Sequence, residues 1–245
     1  MTKKNSPAAR AERAAAALRE QQRQEARRRN TMVGAVVGIL LVVVVGGFLW
    51  MRGSDSSGDI DAPAAGSDRG LAIGDPDAPH QVVIYEDFLC PFCGQLEDAT
   101  RDGLAEAAAA GDAYVEYRPF VLLDRFGDYS ERATNAFAVV LDASGPEVAK
   151  QFHDLLFSNQ PAEDADPFPS DDELVEWAVE AGATEADVRP GIEGLEQQEW
   201  VEAATDAATD AGVQGTPTVL LDGEAFGGDA SSVEDLADSL LDAVQ

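Results

Sequence analysis

The sequence predicts an α/β domain over residues 70–245, built as a βαβ unit, a helical insertion and a closing ββα unit, with one membrane-spanning helix before it. Three observations predict this. A short β-rich run leads through a helical segment to a second apolar run. The middle of the chain, residues 129–212, repeats its apolar residues with a helical rather than an alternating period. Near the end, Asp222-Gly223 separates two apolar runs, a strong hairpin signal.

The elements follow in chain order. Residues 1–31 carry nine Lys or Arg and three Glu, and Ala, Arg, Glu and Gln dominate from Ala8 to Arg29, a helix-forming composition. Met32 to Met51 is 20 residues long and has neither a charge nor a proline. At ~1.5 Å per residue such a helix spans about 30 Å, the thickness of a bilayer's hydrocarbon core. Arg27, Arg28 and Arg29 precede the run, and acidic residues dominate after Arg52. The positive-inside rule then places residues 1–31 in the cytoplasm and the remainder outside. The apolar run exceeds most signal-peptide h-regions and follows a long basic tail, so an uncleaved signal-anchor in the cell membrane is expected. Residues 52–69 are rich in Gly, Ser, Asp and Pro and read as a flexible linker with a reach of roughly 20–24 Å.

In the folded part, Gln81 to Tyr85 reads as a strand ending just before two cysteines. Gly94 to Ala110 reads as a helix stopped by Gly111, and Ala113 to Leu123 as a strand. About four helical segments fill residues 129–212, punctuated by Gly145-Pro146, Asp166-Pro167 and Pro190-Gly191. Thr218 to Leu221 and Glu224 to Phe226 form the hairpin. Ser231 to Val244 closes the chain as an amphipathic helix, with Ser231 or Ser232 as its cap.

Composition excludes several functions. Beyond residue 52 there are 43 acidic against seven basic side chains, which argues against a nucleic-acid partner; the acidity reads first as a solvated surface that keeps the domain soluble, with selection of basic or unfolded clients as the alternative. The two cysteines, Cys90 and Cys93, are too few for a disulfide scaffold or a four-cysteine zinc site. As a structural staple a loop of about four residues contributes only roughly 2 kcal/mol. His80 and His153 offer no ligand spacing and read as ordinary surface or core residues. A redox role fits better. Cys90 falls at a helix start, where unpaired N–H groups and the dipole favour a thiolate. Pro91 suits the first helical position, and Cys93 lies one turn on, placed to resolve a mixed disulfide.

Asp87-Phe88-Leu89-Cys90-Pro91-Phe92-Cys93 resembles the active-site motif of the thioredoxin superfamily. The Cys-Pro-x-Cys form with a helical insertion before the last hairpin resembles the DsbA family, and Gly215-Thr216-Pro217-Thr218 is similar to the superfamily's cis-proline loop. The resemblance covers roughly residues 70–245. It implies a thioredoxin-like fold, a Cys90–Cys93 redox pair supported by Pro91, Phe92, Thr216 and Pro217, and neither cofactor nor metal. It also implies a cis Pro217 beside the cysteines and a Thr216 hydroxyl close to Cys90. The expected activity is oxidation of unfolded or cysteine-containing exported proteins, with re-oxidation by a quinone-linked membrane partner. A reductase or isomerase of the same fold, or a membrane-tethered binding module without catalysis, is the alternative. Two departures bear on redox poise. Phe92 stands where strong oxidants of the family carry His, and Ile84 stands where many relatives carry a buried acid. Glu86 and Asp87 are near in sequence and are expected to oppose a thiolate.

Overall fold

The structure, a computed structural model, describes residue 66 and residues 69–245. The tail, the membrane span and most of the linker read from the sequence lie outside these residues. No helix among the described residues is long and apolar enough to cross a membrane.

Strand β1 (Leu71–Ile73) is followed by β2 (His80–Glu86), helix α1 (Pro91–Ala110) and β3 (Ala113–Pro119). A 3-10 turn (Asp124–Phe126) leads into α2 (Tyr129–Ser144), α3 (Pro146–Ser158), α4 (Asp171–Glu180), α5 (Glu185–Glu193) and α6 (Gln198–Asp210). The chain then closes with β4 (Thr218–Leu221), β5 (Glu224–Phe226) and α7 (Val233–Ala243). The five strands lie in the order β1-β3-β2-β4-β5. Only β2 and β3 run parallel, which is what a connection through α1 allows.

Three differences from the sequence reading have local causes. Strand β1 is additional: three residues pair antiparallel with the edge of β3, too short a run to show alternation. β3 ends at Pro119 rather than Leu123, because the amides of Leu122 and Leu123 turn to a side-chain acceptor instead of a neighbouring strand. The insertion holds five helices rather than about four, since α5 contains Pro190 and its apolar pattern is short. The expected punctuation is present. Gly111 caps α1 at φ 83°, Asp222 and Gly223 both take positive φ in the hairpin, and the Ser232 side chain accepts from Asp235 N.

Strand β2 is buried on both faces, so each alternate set of side chains has its own core. Val82 and Ile84 pack with Leu96, Leu104, Val115, Tyr117 and Leu240 beneath α1 and α7. Val83 and Tyr85 pack with Phe120, Ala208 and Leu220 on the α6 side. A third core fills the insertion around Phe137, Phe152, Leu156 and Leu174, and it reaches Phe88, Leu89 and both cysteines. The cysteines therefore sit where the helical insertion meets the sheet.

Candidate active site

Cys90 is the N-cap of α1, with extended backbone angles (φ −74°, ψ 116°) and Pro91 in the first turn. The amides of Cys93 and Gly94 donate to the Cys90 carbonyl at 3.0 and 3.2 Å, closing the first turn. The loop before the helix is fixed by Asp87, which is fully buried. Its carboxylate accepts from the Leu89, Leu122 and Leu123 amides and from the Ser130 hydroxyl, at 2.7–2.9 Å. From the other side, the Gln160 amide nitrogen donates to the carbonyls of Phe88 and Cys90, each at 2.9 Å. The strand end, the post-β3 loop and the insertion thus converge on one cysteine.

The residues expected at the site are placed as follows. Cys90 is 4% and Cys93 2% exposed, both as free thiols. Phe92 between them is turned outward and 56% exposed. The Thr216–Pro217 peptide bond is cis, and the Thr216 carbonyl lies 3.4 Å from Cys90 Sγ, so the thiol of Cys90 can donate to it. Pro91 lies in the first turn of α1, on the wall of a surface cleft.

The two thiols are pushed in opposite directions. A hydrogen bond from the Cys93 thiol is the main reason the Cys90 pKa falls to about 6. Burial opposes this, and a hydrogen bond from the Thr216 side chain and the Cys93 and Phe92 amides reinforce it. Cys93 is raised by burial first, then by its role as donor to Cys90 and by the Cys90 and Glu86 charges. The carboxylate opposition expected from the sequence therefore acts on Cys93, while Asp87 spends its oxygens on backbone amides and a serine. At neutral pH Cys90 is therefore the thiolate of the pair and Cys93 the protonated thiol. Titration of the reduced protein, read by thiolate ultraviolet absorbance, is expected to show one midpoint near pH 6 that disappears in Cys90→Ser.

Behind Cys93 lies a buried charged cluster. His153 of α3 is fully buried among Phe88, Tyr117, Phe137 and Phe157. Its Nε2 is 2.7 Å from Glu86 and its Nδ1 3.0 Å from Asp154. Glu97 of α1 is buried beside it and pairs with Lys150 at 3.3 Å and Arg101 at 3.2 Å. Glu97, His153 and Asp154 present ligand atoms close enough to share a cation. Lys150 and Arg101 already supply positive charge to those carboxylates, so the donor set is spoken for by ion pairs. The sequence places His153 among ordinary surface or core residues and Glu86 near the cysteines; the structure buries both in one charged cluster.

Burial alone lowers the His153 pKa, but the charges of Glu86 and Glu97 and the hydrogen bonds of Asp154 and Glu86 outweigh it and raise it to about 9. A histidine raised above its unfolded value contributes stability that is complete below about pH 6.5 and is lost as pH rises through about 9. Tm of the oxidised protein, in which neither cysteine titrates, is expected to fall between these two pH values. The same segment of the profile is expected to flatten in His153→Gln.

A family model described as thioredoxin matches residues 67–242. The chain belongs to the thioredoxin family. The Na(+)/H(+) antiporter NhaA 3 of Salinispora tropica is 29% identical over 177 residues, 72% of this chain and 25% of the antiporter. The chain spans about a quarter of the length of the curated relatives it matches, or less. Among solved structures, the reduced disulfide bond oxidoreductase DsbG of Mycobacterium tuberculosis is 28% identical (TM-score 0.60), covering 74% of this chain and 94% of that one. Reduced DsbA of the same organism is 26% identical (TM-score 0.58), covering 72% and 100%. With a low-pKa Cys90 at a helix start, a shielded Cys93 one turn on and a cis-proline loop against the sulfur, this thioredoxin-family domain carries the dithiol centre of a disulfide oxidoreductase.

Proposed function

We propose that the chain is a DsbA-type thiol–disulfide oxidase, tethered to the cell membrane by residues 32–51, that introduces disulfides into exported proteins. The observation that carries the direction is the depressed pKa of Cys90. A stabilised thiolate stabilises the reduced form, and whatever stabilises the reduced form makes the disulfide a better oxidant. The value of about 6 lies below thioredoxin's ~7 and above the ~3.5 of the strongest oxidant of this kind. The exposed Phe92 offers no donor to the sulfur beyond its backbone, which accounts for the intermediate position.

The client's thiolate attacks the Cys90–Cys93 disulfide at Cys90 Sγ and releases Cys93. A second client thiolate then attacks the client sulfur of the mixed disulfide. The client leaves oxidised by two electrons, Cys90 is expelled as the thiolate, and the Cys93 thiolate released in the first step takes a proton from solvent to become the thiol. A quinone-linked membrane protein is the proposed electron acceptor. The clients are cysteine-containing proteins that have not finished folding. The basic residues before the apolar run support an N-terminus in the cytoplasm and the dithiol domain outside.

Equilibration with glutathione tests the direction. A reduction potential above about −200 mV is expected, and one near thioredoxin's ~−270 mV would overturn the oxidase reading in favour of a reductase. Isomerisation is the second reading, supported by Thr216 before the cis Pro217, a pairing in which the chain resembles isomerases of this fold. Failure of the reduced protein to repair scrambled ribonuclease removes it.

A further inference from the structure

Starting at Pro91, the residue after Cys90, is a cleft of about 760 Å³, lined also by Arg125, Phe126, Gln160, Glu163 and Asp164 among others. We propose that this cleft holds the client segment flanking the reacting cysteine and selects an aromatic and a cationic side chain there. The inference rests on the oxidoreductase reading above and names its substrate preference.

The cleft is built rather than incidental. Phe126, 41% exposed, and Phe92, 56% exposed, are two of the three large apolar side chains left open among the described residues; Phe126 lines the cleft, and Phe92 follows Pro91, which lines it too. The turn that carries Phe126 is tied down on both sides. Its lead-in amides, Leu122 and Leu123, are held by Asp87. At Gly127, with φ +146°, a Cβ would come within 2.5 Å of the Phe168 ring. The opposite wall is held by Gln160, whose amide bridges the Phe88 and Cys90 carbonyls. The contacts that position the nucleophile therefore also set the shape of the cleft beside it.

Charge decides among occupants. Glu163 and Asp164 line one wall, while the guanidinium of Arg125, the one cation of the lining, lies 4.6 Å over the Phe126 ring. The chain beyond residue 52 carries 43 acids against seven bases, so a second copy is repelled, as is an anionic lipid surface. An unfolded polypeptide with Lys or Arg and an aromatic residue near its cysteine meets both features. Its ring stacks on Phe126 and its cation faces Glu163 and Asp164.

The test uses two reduced peptides, each with two cysteines, flanked on both sides either by Lys-Phe or by Glu-Ser. The oxidised protein is mixed with each, and peptide oxidation is followed as a second-order rate. A preference of about tenfold for the Lys-Phe peptide is expected, from partial burial of one ring and one exposed charge contact. Phe126→Ser is expected to cut the rate ratio to about a third of its wild-type value, and Glu163→Lys with Asp164→Lys to remove the charge-dependent part. Because the readout is a ratio, any general loss of activity cancels. Equal rates in the wild type overturn the cleft proposal and leave the oxidoreductase reading standing. A wild-type preference that survives both variants overturns it as well, since another surface then makes the selection. If the oxidised protein oxidises neither peptide, the functional reading falls first and the preference falls with it.

Discussion

Replacing Cys90 with serine is expected to slow disulfide exchange with a two-cysteine peptide by roughly 10³-fold or more, the scale seen when a covalent nucleophile is removed. The electrophilic sulfur of the oxidised form and the attacking sulfur of the reduced form are the same atom, so no other residue can take over. Cys93→Ala is expected to differ in kind. Cys90 remains able to attack a client disulfide, but no Cys93 thiol is left to release the client from it, and mixed disulfides with clients accumulate and appear as a second band on a non-reducing gel. The variant also carries an electrostatic signature. The Cys93 thiol is the leading cause of the low Cys90 pKa, so its loss moves the Cys90 midpoint up from about 6 towards the ordinary thiol value. Cys93→Ser keeps a hydroxyl donor at the same position and is expected to hold the midpoint below that of Cys93→Ala. An unchanged midpoint in Cys93→Ala would assign the depression to the helix start instead.

The parts of this site that were legible in the sequence are those written locally. Cys-Pro-Phe-Cys after a β-rich run contains its own geometry, because Pro91 can only begin a helix there and the helix start then faces Cys90. Asp222-Gly223 fixes the hairpin, and Gly215-Thr216-Pro217-Thr218 just before it marks the loop that reaches the sulfur. The buried acid was legible in principle but sought at a fixed offset. Strand alternation places Glu86 on the same face as Ile84 and Val82, directed under α1. Glu97 follows Cys93 by four residues and shares its side of the helix. Looking along the face rather than at one position finds both. His153 was not legible. It meets Glu86 across 67 residues, and nothing in the pattern of α3 separates it from an apolar position. The hidden information is tertiary: a helix of the insertion supplies the cation for carboxylates that the sheet and α1 bury. Asp87 was read from its type alone as a charge opposing the thiolate, and its position in the fold gives it a different task.

Asp87→Ala is expected to destabilise the domain by about 4 kcal/mol or more. Each of its oxygens accepts twice: Oδ1 from the Leu89 amide and the Ser130 hydroxyl, Oδ2 from the Leu122 and Leu123 amides. Alanine leaves three backbone N–H groups and a fully buried hydroxyl without this acceptor, at about 1–3 kcal/mol each where water cannot reach. Leu122 is only partly buried, so solvent recovers some of its share, which keeps the total nearer the lower end. For a domain of this size that is a fall in Tm of about 10 °C, a large part of a typical total stability of ~5–15 kcal/mol. Asp87→Asn separates hydrogen bonding from packing. Its one carbonyl oxygen can serve one pair of donors while its amide faces the other, so about half the loss is expected, with little change in volume. The consequence for chemistry is separable from stability. Asp87 ties the loop before Cys90 to the segment that carries Phe126, so the asparagine variant, assayed well below its Tm, is expected to exchange more slowly with the Lys-Phe peptide than with a small aromatic disulfide. Chemical denaturation with two-state analysis checks the first expectation, and the ratio of the two rates checks the second. A destabilisation under about 1 kcal/mol in Asp87→Ala would show that water replaces the carboxylate at these amides, and the buried hub would lose its assigned role.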